Sequence, residues 1–201
     1  MSEPSTTTRA AGAEHPLEAA VFHLLGDLLL EPADADDLET VSRWAGRWLA
    51  DDPPEVVAGA LRPMASVDPS DVDDLNEAFT RLFRGITGDS PDPPYESLYR
   101  DGELHGRRGA AVREAYRESG MDVGPDTGEL ADHLGMELHF LGALLADGEE
   151  AAFRTFAREH PVRWVGELQE AVLAADPPPF YRGVLDLVVL VLDVAEGDTD
   201  A

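Results

Sequence analysis

The chain has 201 residues, enough for one domain with a sizeable core, and carries 41 acidic against 15 basic side chains for a net charge of −26. So negative a surface argues against nucleic acid or anionic lipid as the main partner, since both require a basic patch. The absence of cysteine excludes disulfides, thiolate catalysis and iron–sulfur ligation by this chain.

Every basic residue is arginine. In dilute buffer the acidic surface repels itself, whereas at molar salt the Debye length is about 3 Å and the repulsion is screened. The expectation is a protein of a very salty cytoplasm, from an extreme halophile. The first sixteen residues have no apolar core, and the longest apolar run, 184–192, is interrupted by Asp186 and too short to span a bilayer. A cytoplasmic location with no membrane insertion is therefore expected.

In chain order, residues 1–13 read as a disordered tail. Leu17, Val21, Leu24, Leu25 and Leu28 form a first helical stripe, and Leu38, Val41, Trp44, Ala45 and Trp48 a second that stops at Asp51-Asp52-Pro53-Pro54. A short third helix fits 55–64. Asp68 as cap and Pro69 in the first turn open a fourth, with stripe Val72, Leu75, Phe79, Leu82 and Phe83 and a stop at Gly85. Residues 85–104 read as a loop with one short turn, because Pro and Gly interrupt them on both sides of Tyr95.

A basic helix follows over about 106–119, and five of the fifteen arginines lie between positions 100 and 117. After a Gly/Pro/Asp connector at 120–128, the spacing predicts an amphipathic helix from 129 to about 146. Glu129, His133 and Glu137 (i, i+4, i+8) would share one face of it, and Leu130, Leu134, Leu138 and Leu141 another. Helices fit 149–159 and 162–174, and Pro177-Pro178-Pro179 precedes a strongly apolar last helix over 180–195. No segment alternates with period two. The fold class is all-α: a single domain of about nine helices spanning 14–196, in two lobes (about 14–104 and 105–196) joined by a central loop or hinge, with a tail at 197–201.

The chemistry left open by these residues is narrow. A chain without lysine cannot carry the lysine phosphate loop, and no Gly-x-Ser-x-Gly occurs. A metal- or nucleotide-dependent hydrolase could use the Glu129/His133/Glu137 face, although a solvated acidic face accounts equally for such a pattern. Phe79, Phe83, Tyr95 and Tyr99 are core residues or the walls of a groove. With an acidic rim, such a groove suits an apolar peptide preceded by arginines.

Three motifs together resemble the TorD/DmsD family of redox-enzyme maturation chaperones. Phe79-Thr-Arg-Leu-Phe83 resembles the family's aromatic-x-x-Leu-Phe helix. Pro93-Pro-Tyr-Glu-Ser-Leu-Tyr99 resembles its Pro-Pro-aromatic-Glu-Ser-x-Tyr loop, and Glu129-Leu-Ala-Asp-His133 its Glu-Pro-x-Asp-His helix start, with Leu130 in place of proline. The resemblance implies an all-helical chaperone without catalysis, acting in the cytoplasm. It would bind the twin-arginine leader and apo form of a molybdopterin-containing oxidoreductase of the dimethyl sulfoxide or trimethylamine N-oxide reductase type until cofactor insertion, before export. Leader contacts are expected at Phe79, Leu82, Phe83, Tyr95, Glu96, Ser97, Tyr99, Glu129, Asp132 and His133, with His133 either touching the leader or anchoring the Tyr95 segment. No cofactor or metal is expected. The resemblance also brings guanine nucleotide (GTP) binding and a homodimer formed by helix exchange, with 120–128 as its hinge.

Overall fold

The computed structural model describes residues 15–85, 88, 90–121 and 128–197. The expected tail at 1–13 and most of the proposed hinge, 122–127, lie outside them, as do residues 198–201. Ten α-helices occur among the described residues: α1 (His15–Leu30), α2 (Ala35–Ala50), α3 (Glu55–Ala65), α4 (Val72–Phe83), α5 (Glu96–Asp101), α6 (Arg107–Glu118), α7 (Leu134–Ala146), α8 (Glu150–Glu159), α9 (Val165–Ala174) and α10 (Pro179–Gly197). Three-residue 3₁₀ turns, Pro69–Asp71 and Pro161–Arg163, introduce α4 and α9. The all-α expectation holds.

Local chemistry accounts for the clearest boundaries. Asp34 and Asp37 form a reciprocal capping box at the start of α2, with bonds of 2.9 and 3.0 Å. Asp68 accepts from Ser70 N at 2.8 Å and so starts the turn that leads into α4. Gly85, at φ +60°, closes that segment just past Arg84, and a side chain there would also collide with Pro93.

The two halves of the chain pack into each other. Helix α1 runs against α7, and α3 against α10. Gly26 and Gly135 let the first pair approach closely: a Cβ on either would sit 2.8 or 2.7 Å from the other's carbonyl oxygen. Two ring clusters tie further helices into the core. Phe79, Phe83 and Tyr181 join α4 to α10, with Phe83 5.4 Å from both other rings. Tyr116, Phe140 and Phe156 join α6, α7 and α8, with centroids 4.2–5.7 Å apart. No helix among the described residues is long and apolar enough to cross a membrane.

Three segments differ from the periodicity reading. Helix α7 starts at Leu134 rather than Glu129, so Glu129 and Asp132 lie in the preceding turn and the expected i, i+4, i+8 face does not form. The supposed loop around Tyr95 contains α5. The helix expected over 162–174 begins at Val165, after the Pro161 turn. The first two share a cause: Asp132 and His133 spend their side chains as caps instead of continuing a helix.

Candidate functional site

The site is organised by a short backbone junction. Pro94–Glu96 meets Asp132–Leu134 in an antiparallel bridge between Tyr95 and His133, in which Glu96 N donates to Asp132 O and Leu134 N to Pro94 O, each at 2.8 Å. The side chains at the junction then cap the helices leaving it. Asp132 Oδ2 accepts from Ser97 N at 3.0 Å, satisfying a buried N–H in the first turn of α5 from 35 residues away. His133 Nδ1 accepts from Gly135 N at 3.1 Å and caps α7. Gly109 of α6 leaves room for the Asp132 carboxylate, since a Cβ there would stand 3.1 Å from Oδ1.

These contacts fix charge states. His133 is 2% exposed. Burial is the main force lowering its pKa, to about 4; Arg84 adds to the lowering, while Glu129 and Asp132 oppose it. The ring is therefore neutral at neutral pH, as an acceptor at Nδ1 must be. It also packs edge-on against Tyr95, with centroids 5.0 Å apart. Tyr95 OH donates to Glu129 Oε1 at 2.6 Å, and its pKa is raised, first by burial and then by that carboxylate. Arg84 stands 3.9 Å from Glu129 Oε2, donates to Leu30 O at 2.9 Å and lies over the Phe79 ring.

Beside this junction runs a groove of ≈590 Å³ between the C-terminal end of α1, the N-terminal end of α2, and the Glu129 turn. Its apolar lining includes Leu24, Leu28, Val41 and Met136. Asp27, Glu31, Asp37 and Glu129 bring four carboxylates to it, and Arg84 one guanidinium. An acidic rim over an apolar floor accepts a segment that is itself both cationic and apolar.

The ten expected site residues separate into distinct places. Glu129 lines this groove and ties Tyr95 to it through their hydrogen bond. Phe79, Leu82 and Phe83 are 1%, 0% and 2% exposed and lie in the core, where Phe79 and Phe83 pack on Tyr181. Glu96, Ser97, Asp132 and His133 are buried in and around the junction. Tyr99, part-buried, stacks on Trp164 at 5.2 Å and donates to Asp92 O at 2.8 Å. Sequence reasoning did not single out Asp27, Glu31 and Asp37, because lone acids in and after the first two helices give no local signal, nor Met136, whose place in the leucine-rich stretch of α7 reads as packing.

The expected ionisable trio does not assemble. Glu129 is turned to Tyr95, His133 caps α7, and Glu137 points elsewhere. It is Glu96, Glu137 and His160, all buried, that bring ligand-type atoms within 4.8 Å of one another. His160 Nδ1 lies 2.7 Å from Glu96 Oε2, Arg100 bonds Glu96 Oε1, and Trp164 Nε1 donates to Glu137 Oε2 at 3.3 Å. His160 and Trp164, at the α8–α9 connection, had no signal in the sequence.

Known proteins are similar to this chain in sequence and in fold. Residues 50–170 match the family model described as nitrate reductase delta subunit. The chain is 30% identical over 157 residues to the chaperone protein TorD of Aeromonas salmonicida, covering 62% of this chain and 69% of that one. It is 28% identical over 152 residues to the Tat proofreading chaperone DmsD of Salmonella typhi, covering 74% and 71%. The crystal structure of a protein assigned to redox enzyme maturation in Archaeoglobus fulgidus superposes with a TM-score of 0.58 at 20% identity, over 92% of this chain and 98% of that one. That likeness shows a shared fold.

Proposed function

The chain belongs to the family of nitrate reductase delta subunits and TorD/DmsD-type redox-enzyme maturation chaperones, and from that premise we propose that it binds the arginine-bearing leader of a molybdoenzyme precursor. The likeness is to chaperones rather than to catalysts. The acid-rimmed, apolar-floored groove beside Tyr95 and Glu129 is the observation that carries the reading. The leader's arginines face Asp27, Glu31, Asp37 and Glu129, and its apolar segment covers Leu24, Leu28 and Met136. Binding holds the apoenzyme in the cytoplasm until its molybdenum cofactor is inserted, and release then frees it for export.

Within this reading the motif residues do two jobs. Tyr95 and Glu129 touch the leader. Glu96, Ser97, Asp132 and His133 hold the junction that presents them, and Phe79, Leu82 and Phe83 support it from the core. In concentrated salt the exposed acid–arginine pairs contribute little, so apolar contacts dominate affinity.

The test is isothermal titration of a synthetic twin-arginine leader into the full chain, in low and in molar KCl. Met136→Asp is expected to weaken binding at both salt levels. The pair Glu31→Gln/Asp37→Gln is expected to weaken it mainly at low salt. Absence of binding by the native protein would overturn the proposal, and native affinity in both variants would move the leader out of this groove.

A further inference from the structure

Two buried carboxylates and an imidazole meet where three segments of the chain converge: Glu96 at the start of α5, Glu137 on α7, and His160 just past α8. Glu96 and Glu137 are 0% exposed and His160 6%. In each carboxylate one oxygen is held from outside. Arg100 bonds Glu96 Oε1, and Trp164 Nε1 donates to Glu137 Oε2. The other oxygens remain for the interior. Glu96 Oε2 faces His160 Nδ1 at 2.7 Å, and Glu137 Oε1 is buried with no hydrogen-bond partner. Outer donors that fix one oxygen and leave its twin pointing inward are how proteins orient carboxylate ligands.

We propose that Glu96, Glu137 and His160 bind a divalent first-row transition ion, which fastens the Tyr95–Tyr99 segment to α7 and to the α8–α9 connection. The donors, two carboxylate oxygens and one imidazole nitrogen, suit zinc or manganese and leave further positions for water. A groove of ≈830 Å³ that includes Glu149 and Glu159 reaches His160, the member of the trio nearest the surface.

The site's role is structural: the ion ties together segments that carry Tyr95, Tyr99 and Trp164, and no bond of a substrate is made or broken. Carboxylate and imidazole ligands bind an ion in their deprotonated forms, so affinity rises with pH.

The experiment uses the full chain, stripped with chelator and dialysed into concentrated KCl with excess Mg²⁺ to suppress binding by surface acids. Zn²⁺ is titrated calorimetrically in two buffers of different ionisation enthalpy. One ion per chain with proton release is expected, together with a raised Tm. Trp164→Phe, which keeps all three ligands, is expected to lower affinity about 10–100-fold. Glu137→Gln and His160→Gln should lower it further, whereas Glu55→Gln on the surface of α3 should change nothing. X-ray absorption of the zinc-loaded native protein should show only nitrogen and oxygen neighbours at about 2.0–2.2 Å, a readout independent of whether the variants fold. No uptake above the surface background, or uptake that Glu137→Gln leaves unchanged, overturns the proposal. Neither result bears on leader binding, which is measured separately.

Discussion

Acidification should remove the stability that the neutral cap on α7 contributes before it titrates most carboxylates, and the size of the effect follows from His133. Its Nδ1 accepts the Gly135 N–H, which it can do only while neutral. The folded pKa is lowered from 6.5 to about 4, chiefly by burial. Between those values the unfolded chain takes up a proton that the folded chain refuses, so the contribution is complete above the unfolded pKa and is lost as pH falls toward about 4. At about 1.4 kcal/mol per pH unit the loss is about 3 kcal/mol. His133→Asn supplies the control, because asparagine caps a helix without titrating. Urea unfolding of both proteins between about pH 7 and pH 4.5, at constant high salt, cancels the titration of all shared acids. The native protein should lose stability relative to the variant as pH falls. Parallel curves would refute both the buried neutral ring and its capping role.

Other substitutions probe the packing and the surface. Gly135→Ala should cost about 1–3 kcal/mol in urea unfolding, since its Cβ would sit 2.7 Å from the Gly26 carbonyl oxygen; a native midpoint would mean that α1 and α7 are further apart. Phe83→Ala should cost about 3–5 kcal/mol by the same assay, as loss of core; near-native stability with impaired leader binding would instead make Phe83 a contact residue. Tyr95→Phe removes the 2.6 Å bond to Glu129 and should cost about 1–2 kcal/mol, and an unchanged unfolding midpoint would show that bond to be replaceable by water. Raising KCl from low to molar concentration should raise Tm steadily, as expected for a net charge of −26; a flat response would remove the argument for a salty habitat.

How far the sequence could be read depends on how local each cause is. Helices α2, α4 and α10 stand close to where their stripes and caps put them, because Asp34, Asp68 and the Pro177–Pro179 run act within their own segments. Helix α5 read only as one short turn within a loop, since Asp132, which accepts from its first turn, lies 35 residues further on. The start of α7 was misplaced for the complementary reason: the leucine spacing from Leu130 onward is helical, but Asp132 is committed to another helix. The motif residues were found as a group, yet their division between groove edge, junction and core depended on burial. Glu137 illustrates the limit. Its spacing from His133 and Glu129 suggested one shared face, whereas its carboxyl meets Glu96 and His160, brought in from segments 41 residues before it and 23 after it.

The interleaving of the two halves bears on the order in which the chain can become a protein. During synthesis α1 and α3 emerge long before α7 and α10, the helices that cover them. Until α7 and then α10 leave the ribosome, the faces of α1 and α3 that they cover stay open. A chaperone built this way spends its own synthesis in the condition it relieves in others, with apolar surface waiting for a late partner.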